Sequence, residues 1–447
     1  MSKALRYLLT AVVILTLTLG SMAMVPAARS DASIHLKGGD FVPAQSQFAQ
    51  QGSQKYFVVQ FAGPIQQAWK DAVAAEGAEV LDYMPDFAFK VRMNPGIAAR
   101  VQGLSFVSQV VPFQPQFKFG TDLRRGGELN VYRVRIERGS DFGLVRSLVA
   151  RTGAQILRAE EDLMIVAANG SLVDAIAEVD DVASISNFYL NEKLSKDNGP
   201  ALNDTARDII GASVANSRGY DGSTQIAAVS DTGIGGGTTT TAHPDIPSSR
   251  VAGIFNWPGA TGGCFQSITD DGSIDVDSGH GTHTAGSVLS AGESGGQGRG
   301  VAPAARLVFQ STENWATITN FCQMFGGWPA NGYFLTGLPD DLKTMYQQAY
   351  SAGARIHSNS WGAALAGDYT VDSLNTDSFV WSNRDMVITF SAGNEGVDAN
   401  ANGVVDNDSI GSPATAKNVI TVGASENARA DGWPCDTSLT YTSYDLY

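Results

Sequence analysis

Histidine is scarce in this chain, with five in 447 residues. Zinc sites ask for three or four clustered nitrogen, sulfur or oxygen ligands. His280 and His283 stand three apart in DSGHGTHTAG (277–286), and beyond residue 200 only His243 and His357 could join them. That argues against a histidine metal centre. Cysteine is scarcer, at three: Cys264, Cys322 and Cys435. Three cannot all pair within one chain; Cys264 with Cys322 is the expected pair. Basic residues are few, 30 against 45 acidic, and the net charge of −15 argues against a nucleic-acid partner. Long apolar runs are missing except one, Tyr7–Leu19, too short to span a membrane comfortably. It follows Lys3 and Arg6 and precedes SMAMVPAARS. This is the layout of a signal peptide over residues 1–28, cut between Ala23 and Ala28. The mature protein is expected to be secreted, extracellular and without a membrane anchor. Low charge (17%) and 49 glycines suit a loop-rich extracellular protein.

The acidity is uneven. Residues 200–447 hold 25 Asp/Glu and 10 Lys/Arg, and the remainder holds 20 of each. A boundary is expected near Lys193–Pro200. Ahead of it the strand KYFVVQFAGP, a helical stretch from Ile65, GAEVL, FAFKVRM, a second helix from Ile97 and VSQVVPF read as βαββαβ. VYRVRIERG, GAQIL, LMIVAA and VASISNFYL repeat that order 76 residues on. Two ferredoxin-like α+β modules are expected, over 50–120 and 128–195.

Beyond Leu202 the pattern changes. TQIAAVSDTG, RLVFQS, RIHSNSWG, MVITFSAGN and KNVITVGAS carry short apolar runs, with helical stretches such as 341–351 and 371–383 between them. This is an α/β pattern, a parallel sheet with helices on both faces. Sites in such sheets form at the carboxyl ends of strands, here Asp231, Ser360 and Asn394. A carboxylate to orient an imidazole, an imidazole to move a proton and an amide to hold an oxyanion are the needs of serine hydrolysis. Asp231, His280 and Asn394 are the right types.

From Leu202 onward the chain resembles the subtilisin-like serine proteases, the subtilase family. The motifs that carry this are SDTGI, GHGTHTAGSV, GRGVAPAARL, NSWG, FSAGNEG and SPATAKNVITVGA, in family order. Their wording is most similar to the oxidatively stable alkaline protease type. The resemblance implies an incomplete subtilisin-like catalytic domain over 200–447, preceded by two prodomain modules. It implies Asp231 as the orienting acid, His280 as general base and then acid, and Asn394 as the oxyanion donor. Ser360, Trp361 and Gly362 would pair with the substrate backbone and wall the primary pocket, with Gly393 opposite. His283 and His357 are expected to be packed structural residues. Protein or peptide substrates follow, with the protein's own prodomain as an intramolecular inhibitor, cut free between Leu190 and Leu202, and no cofactor for catalysis.

One element departs from the family. Its nucleophile sits in a G-T-S-M-A-type motif, and none occurs here. Ser412, in GSPAT, matches the family's SPATAKNVITVGA segment instead. The chain is therefore expected to be a fragment of a longer secreted endopeptidase, itself inactive. A catalytically dead peptide-binding protein is the alternative. A structural calcium ion is a further expectation: Asp398, Asn400 and Asn402 alternate before Gly403 and Asp406, like the start of an EF-hand loop. Glu is missing at the twelfth position, where Ser409 stands. The acidic DDGSIDVD stretch (270–277) is a weaker candidate.

Overall fold

The computed structural model describes residues 55–120, 123–160, 162–193, 203–292, 298–396 and 404–424, together with a short hairpin, β1 (Ile34–Leu36) and β2 (Gly39–Phe41). The expected signal peptide lies outside the described residues. The chain forms two compact units, 1–119 and 120–447.

In the first unit β3 (Tyr56–Phe61), α1 (Gln67–Ala75), β4 (Glu79–Met84), β5 (Ala88–Arg92), α2 (Pro95–Gln102) and β6 (Val107–Pro112) follow in order. The antiparallel sheet runs β4-β5-β3-β6. Alternate residues of β3 face the helices, so Phe57, Val59 and Phe61 pack on Val73, Ala98 and Val101. Asn94 caps α2 by accepting from the Ile97 amide, and Pro95 opens it without a wasted donor.

The second unit begins with the same plan: β7 (Asn130–Ile136), α3 (Phe142–Arg151), β8 (Gln155–Glu160), β9 (Leu163–Ala168), α4 (Gly170–Ala177) and β10 (Val182–Asn187). Its sheet order, β8-β9-β7-β10, is that of the first module. The repeat extends to backbone detail. Gly77 and Gly153 sit just past α1 and α3 at φ 92° and 95°, a left-handed helix exit that favours glycine.

After β11 (Glu192–Lys193), α5 (Asn203–Ile209) and α6 (Ala212–Ser217), the α/β layer is built from β12 (Ile226–Asp231), β13 (Val251–Asn256), β14 (Phe265–Thr269), α7 (His280–Leu289), β15 (Arg306–Ser311), β16 (Asn314–Ile318), α8 (Asn320–Gly326), β17 (Asn331–Phe334), α9 (Leu342–Ser351), β18 (Ile356–Asn359), β19 (Trp361–Gly362), α10 (Val371–Ser382), β20 (Val387–Ser391) and β21 (Ile420–Val422). Six strands form one parallel sheet, β13-β15-β12-β18-β20-β21. Its central strands bury both faces. Val229, Leu307 and Phe309 meet Ala285 and Leu289 of α7 on one side. Ala228 and Val308 meet Ala349 of α9 on the other. A doubly covered parallel sheet, as expected, is the result.

The order turns outward in both directions from β12, so its carboxyl end is a topological switch point. Three antiparallel strands, β14-β16-β17, form a separate small sheet. The Cys264–Cys322 disulfide forms as expected and sits in that sheet's apolar core with Phe265, Ala316 and Ile318. The same core takes in Val131, Phe188 and Leu190 of the second module. Cys435 lies outside the described residues.

Candidate active site

Asp231 is the last residue of β12 and His280 the first of α7. Gly279, at φ 70°, precedes the helix and turns the chain into it. Gly281 then lets the helix sit against the strand end: a Cβ there would lie 2.2 Å from the Gly233 carbonyl oxygen. That packing brings the imidazole to the carboxylate. His280 Nδ1 lies 2.5 Å from Asp231 Oδ1, with both residues buried.

The carboxylate is held from several sides. The Thr232 amide donates to Oδ1 at 2.8 Å and the Thr284 hydroxyl to Oδ2 at 3.1 Å. Asp275 braces the surrounding loops by accepting from the Thr232 hydroxyl and from the Thr282 amide and hydroxyl. Burial works to lower the His280 pKa, but the hydrogen bond and charge of Asp231 outweigh it. The net shift is upward, with Lys193 opposing. His280 Nε2, the other ring nitrogen, is buried and has no hydrogen-bond partner among the described residues. An imidazole fixed at one nitrogen and open at the other can take a proton from a group delivered there.

The other expected residues follow the neighbouring strands. Ser360 lies just past β18, and Gly393 and Asn394 just past β20. The ends of β12, β18 and β20 are adjacent. The Asn394 backbone N–H donates to Glu395 Oε2 at 2.8 Å. Trp361 differs from its expected place. Its side chain is 1% exposed, donates from Nε1 to the Ser230 carbonyl and packs edge-on against Phe390. It therefore fills the core, because at its strand position the large ring points inward, and only its backbone is offered to a partner.

That backbone is already paired. β11 joins β19 as an antiparallel ladder, Glu192 opposite Gly362 and Lys193 opposite Trp361. Lys193 Nζ reaches Asp277 Oδ2 at 2.7 Å and Glu313 Oε1 at 3.0 Å. Burial works to lower the Lys193 pKa, yet hydrogen bonds to these two carboxylates carry the net shift upward. The second module is tied to α10 as well. Arg133 Nη1 and Nη2 donate to Asp372 Oδ2 and Oδ1 at 3.1 and 2.9 Å, and Tyr189 and Asn191 donate to the same carboxylate.

Some expectations are corrected. His283 is exposed rather than packed, since the face of α7 that meets the sheet is the stripe Gly281, Ala285 and Leu289, and position 283 falls on the other side of the helix. His357 is buried as expected. It shares a hydrogen bond of 2.9 Å with Gln310 Oε1 and meets the Tyr346 ring edge-on, and burial pushes its pKa down to about 3. Ser412 is fully buried against the Thr370 and Ser373 hydroxyls, away from any proton acceptor at His280. Asp398, Asn400 and Asn402 lie outside the described residues, and Asp406 alone of the expected calcium ligands lies within them. Three of the four carboxylates in 270–277 have protein partners: Asp270 has Asn256, Asp275 has threonines and Asp277 has Lys193. Asp271 Oδ1 is buried without a hydrogen-bond partner among the described residues. No group of three or more His, Cys, Asp or Glu among the described residues is arranged to hold a metal ion. Lys193, Glu313, Asp372 and Arg133 were not legible in the sequence as site residues. Nothing in their local patterns sets them apart, and only the tertiary fold brings them together.

Part of the chain is similar to known proteins. The model of the subtilase family matches residues 222–444, and one described as a domain of unknown function (DUF8729) matches 35–114. The serine protease/ABC transporter B family protein tagD of Dictyostelium discoideum is 29% identical over 233 residues, 50% of this chain and 11% of that protein. Serine protease AprX of Bacillus subtilis (strain 168) is 27% identical over 266 residues, 58% of this chain and 51% of that one. The chain thus spans about a tenth and about half of these relatives. Among solved structures, fervidolysin from Fervidobacterium pennivorans, a keratinolytic enzyme related to subtilisin, aligns at a TM-score of 0.38 and 20% identity over 62% of this chain and 41% of its own. The stretch that supplies Asp231, His280, Trp361 and Asn394 belongs to the subtilase family of serine proteases.

Proposed function

We propose that the protein is a secreted serine endopeptidase made as a self-inhibited precursor. The observation that carries this is the buried Asp231–His280 pair, joined at Nδ1 and open at Nε2. In this reading Asp231 fixes the imidazole tautomer and stabilises its cation. His280 takes the proton of a serine hydroxyl as that oxygen attacks the peptide carbonyl, then returns it to the leaving amine. The Asn394 side chain donates to the carbonyl oxygen as it becomes an anion. The substrate strand lies antiparallel on Trp361–Gly362.

The second module is the inhibitor in this reading. The pairing of β11 with β19 supports this, since a substrate strand would take the same edge, and the Arg133–Asp372 pair anchors the module beside it. Cleavage between Leu190 and Leu202 would release it.

The test is labelling of the protein, purified from its native source, with a serine-directed fluorophosphonate. Labelling of a serine that disappears in His280→Ala, with casein hydrolysis lost in parallel, is the expected outcome. A protein that binds peptides but takes no label would instead be a peptide-binding relative.

A further inference from the structure

We infer that Asp277 and Glu313 form a substrate pocket for a basic side chain, at the substrate residue that stands opposite Trp361. The inference rests on the reading of β19 as the substrate-binding strand.

Alternate side chains of a strand point to opposite sides. In β11, Glu192 is exposed, whereas Lys193 turns inward and is only 27% exposed at its side chain. Its ammonium is held between two carboxylates at 2.7 and 3.0 Å. These are charge-assisted hydrogen bonds of ordinary length. The two acids come from different places. Asp277 lies on the loop three residues ahead of His280. Glu313 lies just past the end of β15, with its amide bonded to the Thr232 carbonyl. The pocket is therefore built on the same strand ends as the catalytic pair, and Lys193 is close enough to act on the His280 pKa.

Glu313 makes the site more than an acidic patch. Its side chain is only 5% exposed, and burial raises its pKa even with Lys193 present. A buried carboxylate without a cation is costly. When β11 leaves, Glu313 and Asp277 lose the group that compensates them, and a substrate lysine or arginine in the same register restores it. A glutamate or aspartate there would bring a third negative charge to the pocket. The residue after the basic one would then face Ser360. The chain's own sequence at that point, Glu192-Lys193-Leu194, carries the basic residue that this pocket would select.

The test uses the full chain and needs no hydrolysis. Hydrogen exchange is first read at the amides of residues 192–193 and 361–362. Lys193→Glu is expected to remove their protection and Lys193→Arg to keep it. Unchanged protection in Lys193→Glu overturns the inference. In the Lys193→Glu chain, binding of a peptide with the sequence of residues 189–194 (YLNEKL) is then compared with YLNEML. The lysine peptide is expected to bind at least about 10-fold more tightly. Glu313→Gln or, should that variant fail to fold, the more exposed Asp277→Asn should erase the preference. If both peptides bind alike, the pocket assignment fails while the cleft stands. If neither binds, the reading of β19 as a substrate strand fails with it.

Discussion

Arg133 and Asp372, 239 residues apart in sequence, meet in a buried two-pronged ion pair that fastens the second module to the first turn of α10. Asp372 also accepts from Tyr189 and Asn191, and the Arg133 guanidinium lies 5.0 Å over the Tyr189 ring. Removing one partner leaves the other charged and buried, at a cost of about 3–5 kcal/mol. Arg133→Ala should therefore weaken the module's hold by that order. Arg133→Met with Asp372→Leu, which removes both charges, should recover most of the loss. Urea unfolding of the full chain reads both; equal losses in the single and double variants would refute the account.

His280 should titrate above the ordinary imidazole value of about 6.5. Burial opposes this shift and the bond to Asp231 outweighs it. The raised pKa means the charged form is favoured. Its stabilising effect is present at low pH and is lost as the pH rises through the folded-state pKa. A general base needs the neutral form, so under the proposed function the acid limb of activity should lie above about 6.5. Proton NMR of the ring in this chain checks the shift. Asp231→Asn removes the raising interaction and should bring the titration below the ordinary value. A titration that stays put in Asp231→Asn would count against this account.

His357 acts in the opposite sense. Its folded pKa is about 3, so between pH 3 and about 6.5 the unfolded chain binds a proton that the folded chain refuses. Stability should fall with falling pH in that window, by up to about 1.4 kcal/mol per pH unit from this one group. His357→Gln should flatten the slope of unfolding free energy against pH by about one proton, whatever its effect on absolute stability. Denaturant titrations at several pH values measure the slope; a slope as steep as that of the unaltered chain would be the contrary result.

Gly281→Ala should damage the site without touching its polar atoms. The added methyl meets the Gly233 carbonyl and must push α7 away from β12. Overpacking of this kind costs about 1–3 kcal/mol. The movement should also lengthen the Asp231–His280 bond, so the His280 titration should shift downward together with a lower melting temperature. A lowered melting temperature with an unmoved titration would mean that the helix accommodates the methyl elsewhere.

Much of this protein is legible along the chain. Period-two strands, glycine exits after helices and the 76-residue spacing mark the two βαββαβ modules, because these are local choices of backbone and burial. Short apolar runs ending in Asp231, Ser360 and Asn394 mark the parallel sheet for the same reason. His280 and Asp231 could be named because their motifs also carry the glycines and threonines that each needs nearby.

What the tertiary structure alone decided are the contacts between distant segments. Trp361 was expected at a pocket wall and lies in the core, since strand register, not residue type, sets the direction of a side chain. His283 is exposed for a similar reason, because the face of α7 that packs on the sheet is the Gly281, Ala285 and Leu289 stripe and position 283 lies off it. The seat of Lys193 between Asp277 and Glu313, and of Arg133 on Asp372, has no local signature at all. Opposite charges far apart in sequence are common, and only the folded chain removes the water between a particular two.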